Sequence, residues 1–142
     1  MENVEVVKES EEKVITFEEG IPGFEHLHCF VFMKSEIENF HYLQSVEDND
    51  ICFIIINPYE FKKDYAPIIS EEYFEKLGGG KDENFAIYTI VCLRNPIQES
   101  TVNLAGPLVI HIENRLGVQV VTEEKMYTTR ERLVELLKER ED

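Results

Sequence analysis

The stretch from Thr101 to Val121 constrains this chain more than any other. Leu108, Ile110 and Ile112 alternate with Val109, His111 and Glu113, the period-two signature of a strand with one apolar face and one that turns polar. Asn114-Arg115-Leu116-Gly117 follows; Gly117 is expected to supply the positive φ of a tight hairpin, and Val118-Gln119-Val120-Val121 begins the return strand. The pattern predicts the central hairpin of an antiparallel sheet, with Leu108, Ile110 and Ile112 packed in the core. Thr101, Asn103 and Gln119 are its polar members.

Further strands are predicted upstream. Val14-Ile15-Thr16-Phe17 leads into Gly20-Ile21-Pro22-Gly23-Phe24, where Pro22 fixes its own φ and Gly23 accepts a positive one, as a type II turn requires. This turn is expected to face solvent with Ile21 and Phe24, either shaping a barrel end or presenting apolar groups to a partner. A strand over 25–33 places Leu27, Cys29, Val31 and Met33 on one face and Phe30 and Phe32 on the other. Phe40 to Ser45 forms the next, and 46–50 is a turn whose Asp and Asn side chains bond their own backbone. Ile51 to Ile56 is a continuous apolar run suited to the core, ended by Asn57-Pro58. Phe85 to Leu93 is the longest strand candidate.

Two helices complete the reading. Ser70 suits an N-cap, Tyr73, Phe74 and Leu77 form an apolar stripe, and Gly78 closes a short internal helix. Thr128-x-x-Glu131 reads as a capping box opening a C-terminal helix over 128–142, with Leu133, Leu136 and Leu137 at helical spacing. That helix has two possible uses, docking on its own barrel or being offered to a partner. Many short strands, two helices and closely spaced turn signals favour a mainly β fold, a small antiparallel β-barrel-like domain. A length of 142 residues fits one domain, 1–142, with 1–12 frayed or a peripheral strand around Val4 to Val7.

Composition narrows the function. The net charge is −15, and through Asp50 the chain carries thirteen acidic residues against three lysines and no arginine. Such a surface repels nucleic-acid phosphates and attracts a basic protein. An OB-type nucleic-acid barrel, which needs a basic groove with stacking aromatics, is disfavoured. The acidic start and the absence of any run of about 18 apolar residues argue against a secretory signal or a membrane span. Cys29, Cys52 and Cys92 show no Cys-x-x-Cys spacing, and read as buried reduced thiols of a cytoplasmic protein.

Catalytic signals are sparse. Ser45 lies outside any Gly-x-Ser-x-Gly pattern. His26 and His28 share the face of the predicted strand and could meet His41 or His111 at a metal, but no third ligand is fixed. Gly78-Gly79-Gly80 leaves a helix where a phosphate loop would enter one. No cofactor is expected. A small-ligand or enzymatic β-barrel is the competing class, and its mark would be a deep polar pocket with convergent titratable groups.

Gly20-Ile21-Pro22-Gly23-Phe24-Glu25, Leu43-Gln44-Ser45, Asn57-Pro58 and Thr101-Val102-Asn103-Leu104 with Pro107 and Gln119 together resemble the FliW family of flagellar assembly factors, over roughly residues 14–127. The family commonly carries Ala-Pro where Gly106-Pro107 stands, and Asn where His111 stands. The resemblance implies a small antiparallel β-barrel-like, cytoplasmic, non-enzymatic factor with two protein partners. One is the RNA-binding translational regulator CsrA, sequestered so that flagellin mRNA is translated. The other is newly made flagellin. On this reading Glu18, Glu19, Glu47, Asp48 and Asp50 are expected to supply an electrostatic contact surface, and Ile21 and Phe24 with the C-terminal helix an apolar one. Asn103 and Gln119 are further contact candidates, with a backbone-bonding role for Asn103 beside Pro107 as the other reading.

Overall fold

A computed structural model describes residues 14–122 and 124–141. The predicted strand around Val4 to Val7 lies outside them. The elements run β1 (Val14–Thr16), β2 (Cys29–Lys34), β3 (Phe40–Ser45), β4 (Cys52–Ile56), α1 (Glu71–Lys76), β5 (Phe85–Cys92), β6 (Thr101–Val102), β7 (Leu108–His111), β8 (Leu116–Gln119), β9 (Glu131–Arg132) and α2 (Leu133–Glu141). Among the described residues the strands follow the order β4-β3-β2-β1-β8-β7-β5-β6-β9, and β4 also pairs with β5. That last pairing closes seven strands into a barrel and removes their free edges. Every pairing is antiparallel except the seam between β1 and β8, joined at Thr16 and Leu116 and by Thr16 N–H donating to Arg115 O at 2.9 Å.

β5 organises the closure. Its first half pairs with β7, from Phe85 opposite His111 to Tyr88 opposite Leu108. Its second half pairs with β4 along the other edge, and β6 takes the edge that β7 has left, Val91 opposite Val102. β6 and β7 are thus two halves of one run, and Asn103 to Pro107 form a bulge between them. The bulge is held from outside by Val120 N–H to Pro107 O and Thr122 N–H to Ala105 O, both 2.9 Å.

Three apolar clusters explain why so many strands are apolar on both faces. Ile15, Phe17, Ile21, Leu27, Phe30, Leu43, Ile55, Leu108 and Ile110 fill the barrel. Outside it, Ile56, Phe61, Tyr65, Val91, Val102, Leu104 and Tyr127 pack with Leu133 and Leu136 of α2, so that helix docks on its own barrel. Leu77, at the end of α1, covers Val109, Val118 and Val120.

This double coverage revises the hairpin. All four residues of β7 are buried: Val109 lies under the α1 cluster, and His111 is enclosed with Nε2 at 3.0 Å from Gly79 O and Nδ1 accepting from Asn114 N–H at 3.1 Å. Ile112, assigned to the core by alternation, falls in the turn and is 53% exposed. The positive φ of the turn belongs to Arg115, at 55°, and not to Gly117. Gly117 faces the barrel opposite Ile110, where an added Cβ would lie 2.6 Å from the Phe17 ring.

Other boundaries also shift. β2 begins at Cys29, so His26 and His28 precede the strand. Thr128 N–H and Oγ1 both bond Glu131 Oε2 at 2.8 Å, yet Glu131 and Arg132 pair with β6 and the helix waits until Leu133. Ser70 stands at the N-cap of α1 without a side-chain cap bond. The three thiols are free but not buried, with Cys52 and Cys92 exposed.

Replacing Gly117 by Ala forces its methyl against the Phe17 ring, which is fully enclosed. A loss of about 1–3 kcal/mol is expected, read as a lower urea midpoint at unchanged slope.

Candidate protein-binding surfaces

The directions of the strands give the barrel two dissimilar ends. At one, β1 and β3 finish and β2 begins, and this end is capped. Pro22-Gly23 forms the expected type II turn, with Gly23 at φ 92° and Phe24 N–H donating to Ile21 O at 2.6 Å. Pro22 and Gly23 face solvent as expected, while the flanking Ile21 and Phe24 turn inward. Ile21 is 2% exposed, and Phe24 packs edge-on against Phe53 at 5.1 Å. Burying these apolar side chains closes the barrel interior, the barrel-end role expected of the turn, with Ile21 enclosed and Phe24 half-buried.

Of the acidic residues predicted to act together, Glu47, Asp48 and Asp50 lie in the turn after β3 at this capped end, and Glu18 and Glu19 leave β1 there along a groove shared with Lys76, Leu116 and Val118. Glu18 and Glu19 follow Phe17, whose N–H donates to His28 O at 2.7 Å. Glu47 reaches the same segment from the turn after β3, accepting from His28 N–H at 3.0 Å and Cys29 N–H at 2.9 Å. These two amides hold its carboxyl below the usual value of 4.5, Cys29 N–H most strongly. The turn itself is fixed by Ser45 Oγ accepting from Asp48 N–H at 3.0 Å and Asp48 Oδ1 accepting from Asp50 N–H at 2.9 Å. Glu19 pairs with Lys76 at 3.6 Å. Glu18, Glu19, Glu47 and Asp50 are exposed, so their charge is presented even where an oxygen also ties the fold together.

Asn103 and Gln119 meet over Gly106. Gln119 Nε2 donates to Gly106 O at 2.9 Å, and a Cβ on Gly106 would come within 2.8 Å of Asn103 Nδ2 and 2.9 Å of Gln119 Nε2. Gln119 therefore braces the bulge between β6 and β7, whereas Asn103 packs against Gly106 with its buried Oδ1 lacking a hydrogen-bond partner. Asn103 lies past the end of β6, and its N–H donates to Ile90 O at 2.9 Å. Bulges of this kind re-aim side chains at barrel rims.

The opposite end is open. Ile15, Phe32, Lys34, Ala86, Tyr88, Ile110, Ile112 and Arg115 line an apolar groove of about 340 Å³. Phe32 and Tyr88, with ring centroids 5.4 Å apart and planes tilted by 56°, form its aromatic wall. Burial pushes the Tyr88 hydroxyl above its usual range. Alternation had placed Ile112 in the core, and nothing in the local sequence marks Arg115 as a positive-φ residue. A second groove, about 510 Å³, runs between Ile68, Ser70, Glu72 and Tyr73 on one side and Val120, Val121 and Glu124 on the other. Among the described residues no cluster of three or more His, Cys, Asp or Glu is placed to hold a metal, and no helix is long and apolar enough to cross a membrane.

Comparison with known proteins places this architecture. The family model described as FliW protein matches residues 2–133. The chain is 42% identical over 128 residues to the flagellar assembly factor FliW of Caldicellulosiruptor saccharolyticus, covering 90% of this chain and 84% of that one. It is 40% identical over 138 residues to that of Caldanaerobacter subterraneus, covering 96% and 92%. A crystal structure of the flagellar assembly factor FliW superposes with a TM-score of 0.80 at 32% identity, over 87% of this chain and 86% of that one.

Two substitutions test these assignments. Because the folded pKa of Glu47 lies below its ordinary 4.5, its stabilising contribution is complete above that value and vanishes as pH falls through the folded one. Glu47→Gln should lower the urea midpoint at about pH 7 and shrink the further loss at about pH 3. Part of that acid loss persists, since the backbone N–H groups of Glu25 and Gly23 also hold the Glu25 carboxyl low. Gln119→Ala, which removes the bond to Gly106 O, should destabilise the fold by about 1 kcal/mol while leaving the affinity of the folded fraction for partners unchanged; a stable variant that no longer binds would make Gln119 a contact residue.

Proposed function

Because the chain belongs to the FliW family of flagellar assembly factors, we propose that it works in the cytoplasm as a protein-binding switch. In this role it binds the translational regulator CsrA, relieves repression of flagellin mRNA, and is in turn occupied by newly made flagellin. An assembly factor is a non-enzymatic role.

The observation that carries the reading is the charge. A protein of net charge −15 concentrates exposed carboxylates of Glu18, Glu19, Glu47 and Asp50 at the capped end of its barrel. The surface of an RNA-binding regulator is basic where it meets phosphate, so an acidic barrel end attracts it and its field repels RNA from the complex. The apolar part of recognition passes to the grooves, since Ile21 is buried, Phe24 packs on Phe53, and Leu133 and Leu136 of α2 are used internally.

Titrating purified CsrA with the chain at rising ionic strength tests the electrostatic half. Affinity should fall about tenfold or more between about 0.05 and 0.5 M salt, mostly through the association rate. Glu18→Lys combined with Asp50→Lys should reduce both the affinity and its salt slope. An affinity indifferent to salt removes the acidic end from the mechanism.

A further inference from the structure

We propose that the open end of the barrel is the docking site for an amphipathic helical segment of a partner, with its apolar stripe over Phe32, Tyr88, Ile110 and Ile112 and flanking carboxylates on Lys34 and Arg115. The inference rests on the reading of the chain as a protein-binding factor and assigns that factor a second surface, opposite in sign to the first.

The sign is the first argument. The chain holds 14 lysines and arginines against 29 acidic residues, yet the charged side chains lining this groove are both cations, Lys34 and Arg115. Neither belongs to the ion pairs among the described residues, which join Lys62 to Asp64, Lys76 to Glu19 and Lys138 to Glu135. Each is exposed and free to meet an incoming carboxylate.

Backbone geometry is the second. Arg115 sits at φ 55°, a conformation that Gly or Asn adopts more cheaply. It is locked there from both sides, its N–H donating to His111 O at 2.8 Å and its carbonyl accepting from Thr16 N–H at 2.9 Å. A strained arginine held at the rim of an apolar groove matches the general placement of backbone strain at binding sites. The same turn lifts Ile112 to 53% exposure beside it.

The form of the occupant follows from the closed sheet. β1 lies between β2 and β8, β2 between β1 and β3, and β7 between β8 and β5, so the groove offers side chains and no free strand edge. Strand addition has nothing to pair with. A helix laying an apolar stripe into a groove needs only side-chain contacts, and places its flanking residues at the rim.

The test uses the full chain and two synthetic peptides of about 18 residues, long enough to present several i, i+4 anchors. They share one Leu/Ile stripe on an Ala-rich helix and differ only in flanking residues, Glu in one and Lys in the other. Fluorescence anisotropy at low salt should show the Glu peptide binding at least about tenfold tighter. Lys34→Glu, on a regular strand, and Arg115→Glu should each erode that preference, and the double variant should invert it. Ile112→Ser should weaken both peptides. Circular dichroism and the urea midpoint identify any variant that fails to fold. Equal binding of the two peptides, or none, overturns the proposal. So does concentration-dependent self-association abolished by Ile112→Asp, which would give the groove to a second copy. Peptide binding seen only after removal of residues 1–13 also overturns it, because the chain's own amino-terminal segment would then be the occupant. Purified CsrA and flagellin, titrated in parallel, report on the proposed function separately: loss of both with the Glu peptide still bound would sink that reading and leave the groove assignment standing.

Discussion

The barrel depends on the contact between Phe17 and Gly117. β1 and β8 meet at the one parallel seam of the described sheet, with a single residue pair, Thr16 opposite Leu116. So short a seam gains little from its own hydrogen bonds, and packing across it has to hold the cylinder closed. Phe17 supplies that packing. Its ring is fully buried, edge-on to Phe30 at 5.6 Å, and lies in the space that a side chain at position 117 would need. A large aromatic opposite a missing side chain is how a small barrel fills its interior without voids. Glycine here is chosen for close approach, not for its freedom in φ.

The capped end follows from that contact. With Phe17 pulled inside, the chain leaving β1 turns across the barrel mouth, and Ile21, Phe24 and Leu27 drop onto the same cluster. The Glu47 carboxylate then spans the amides of His28 and Cys29 at the entry to β2, so an acidic residue on the surface is also a clasp on the cap. At the other end no equivalent segment folds over among the described residues, and Phe32, Tyr88 and Ile110 are left lining an open groove. One closure thus creates two surfaces of different chemistry.

How much of this could be read from the residues depends on how local the cause was. β3 appears at its predicted bounds, Phe40 to Ser45, because its neighbours on both sides are turn-forming. Pro22-Gly23 and the helix after Ser70 appear where their local chemistry puts them, and the mainly β barrel with a short internal and a C-terminal helix is the fold observed. What failed was inference about faces. Alternation assumes one wet side, whereas α1 and α2 cover the outside of β4, β5, β7 and β8. Hence His111 is enclosed, whereas Ile112 is exposed because it falls in the turn beyond β7 and Ile21 is core because the cap folds over the barrel mouth. Cys52 and Cys92 sit on apolar strands but at positions that happen to be uncovered. Of the candidate site residues, the acidic set came from charge together with the family resemblance, while Lys34 and Arg115 needed the three-dimensional closure that brings β2 and the turn before β8 to one rim.

The two surfaces meet along one side of the barrel. Thr16, two residues before Glu18, donates its N–H to Arg115 O at 2.9 Å, and Glu18 and Glu19 line one groove with Leu116. A partner's charge on the acidic side of this seam is therefore felt at Arg115, and salt screens that coupling. Coupling between the two surfaces thus has two parts, the field across the seam and a shift in the core that joins the ends. Phe30 provides a physical route for the second, since its ring lies 5.8 Å from Phe53 beneath the cap and it belongs to the cluster against which Phe32 and Tyr88 pack. A close-packed interior passes on displacement and is indifferent to salt, so coupling by this path would persist at ionic strengths that abolish the electrostatic contact itself.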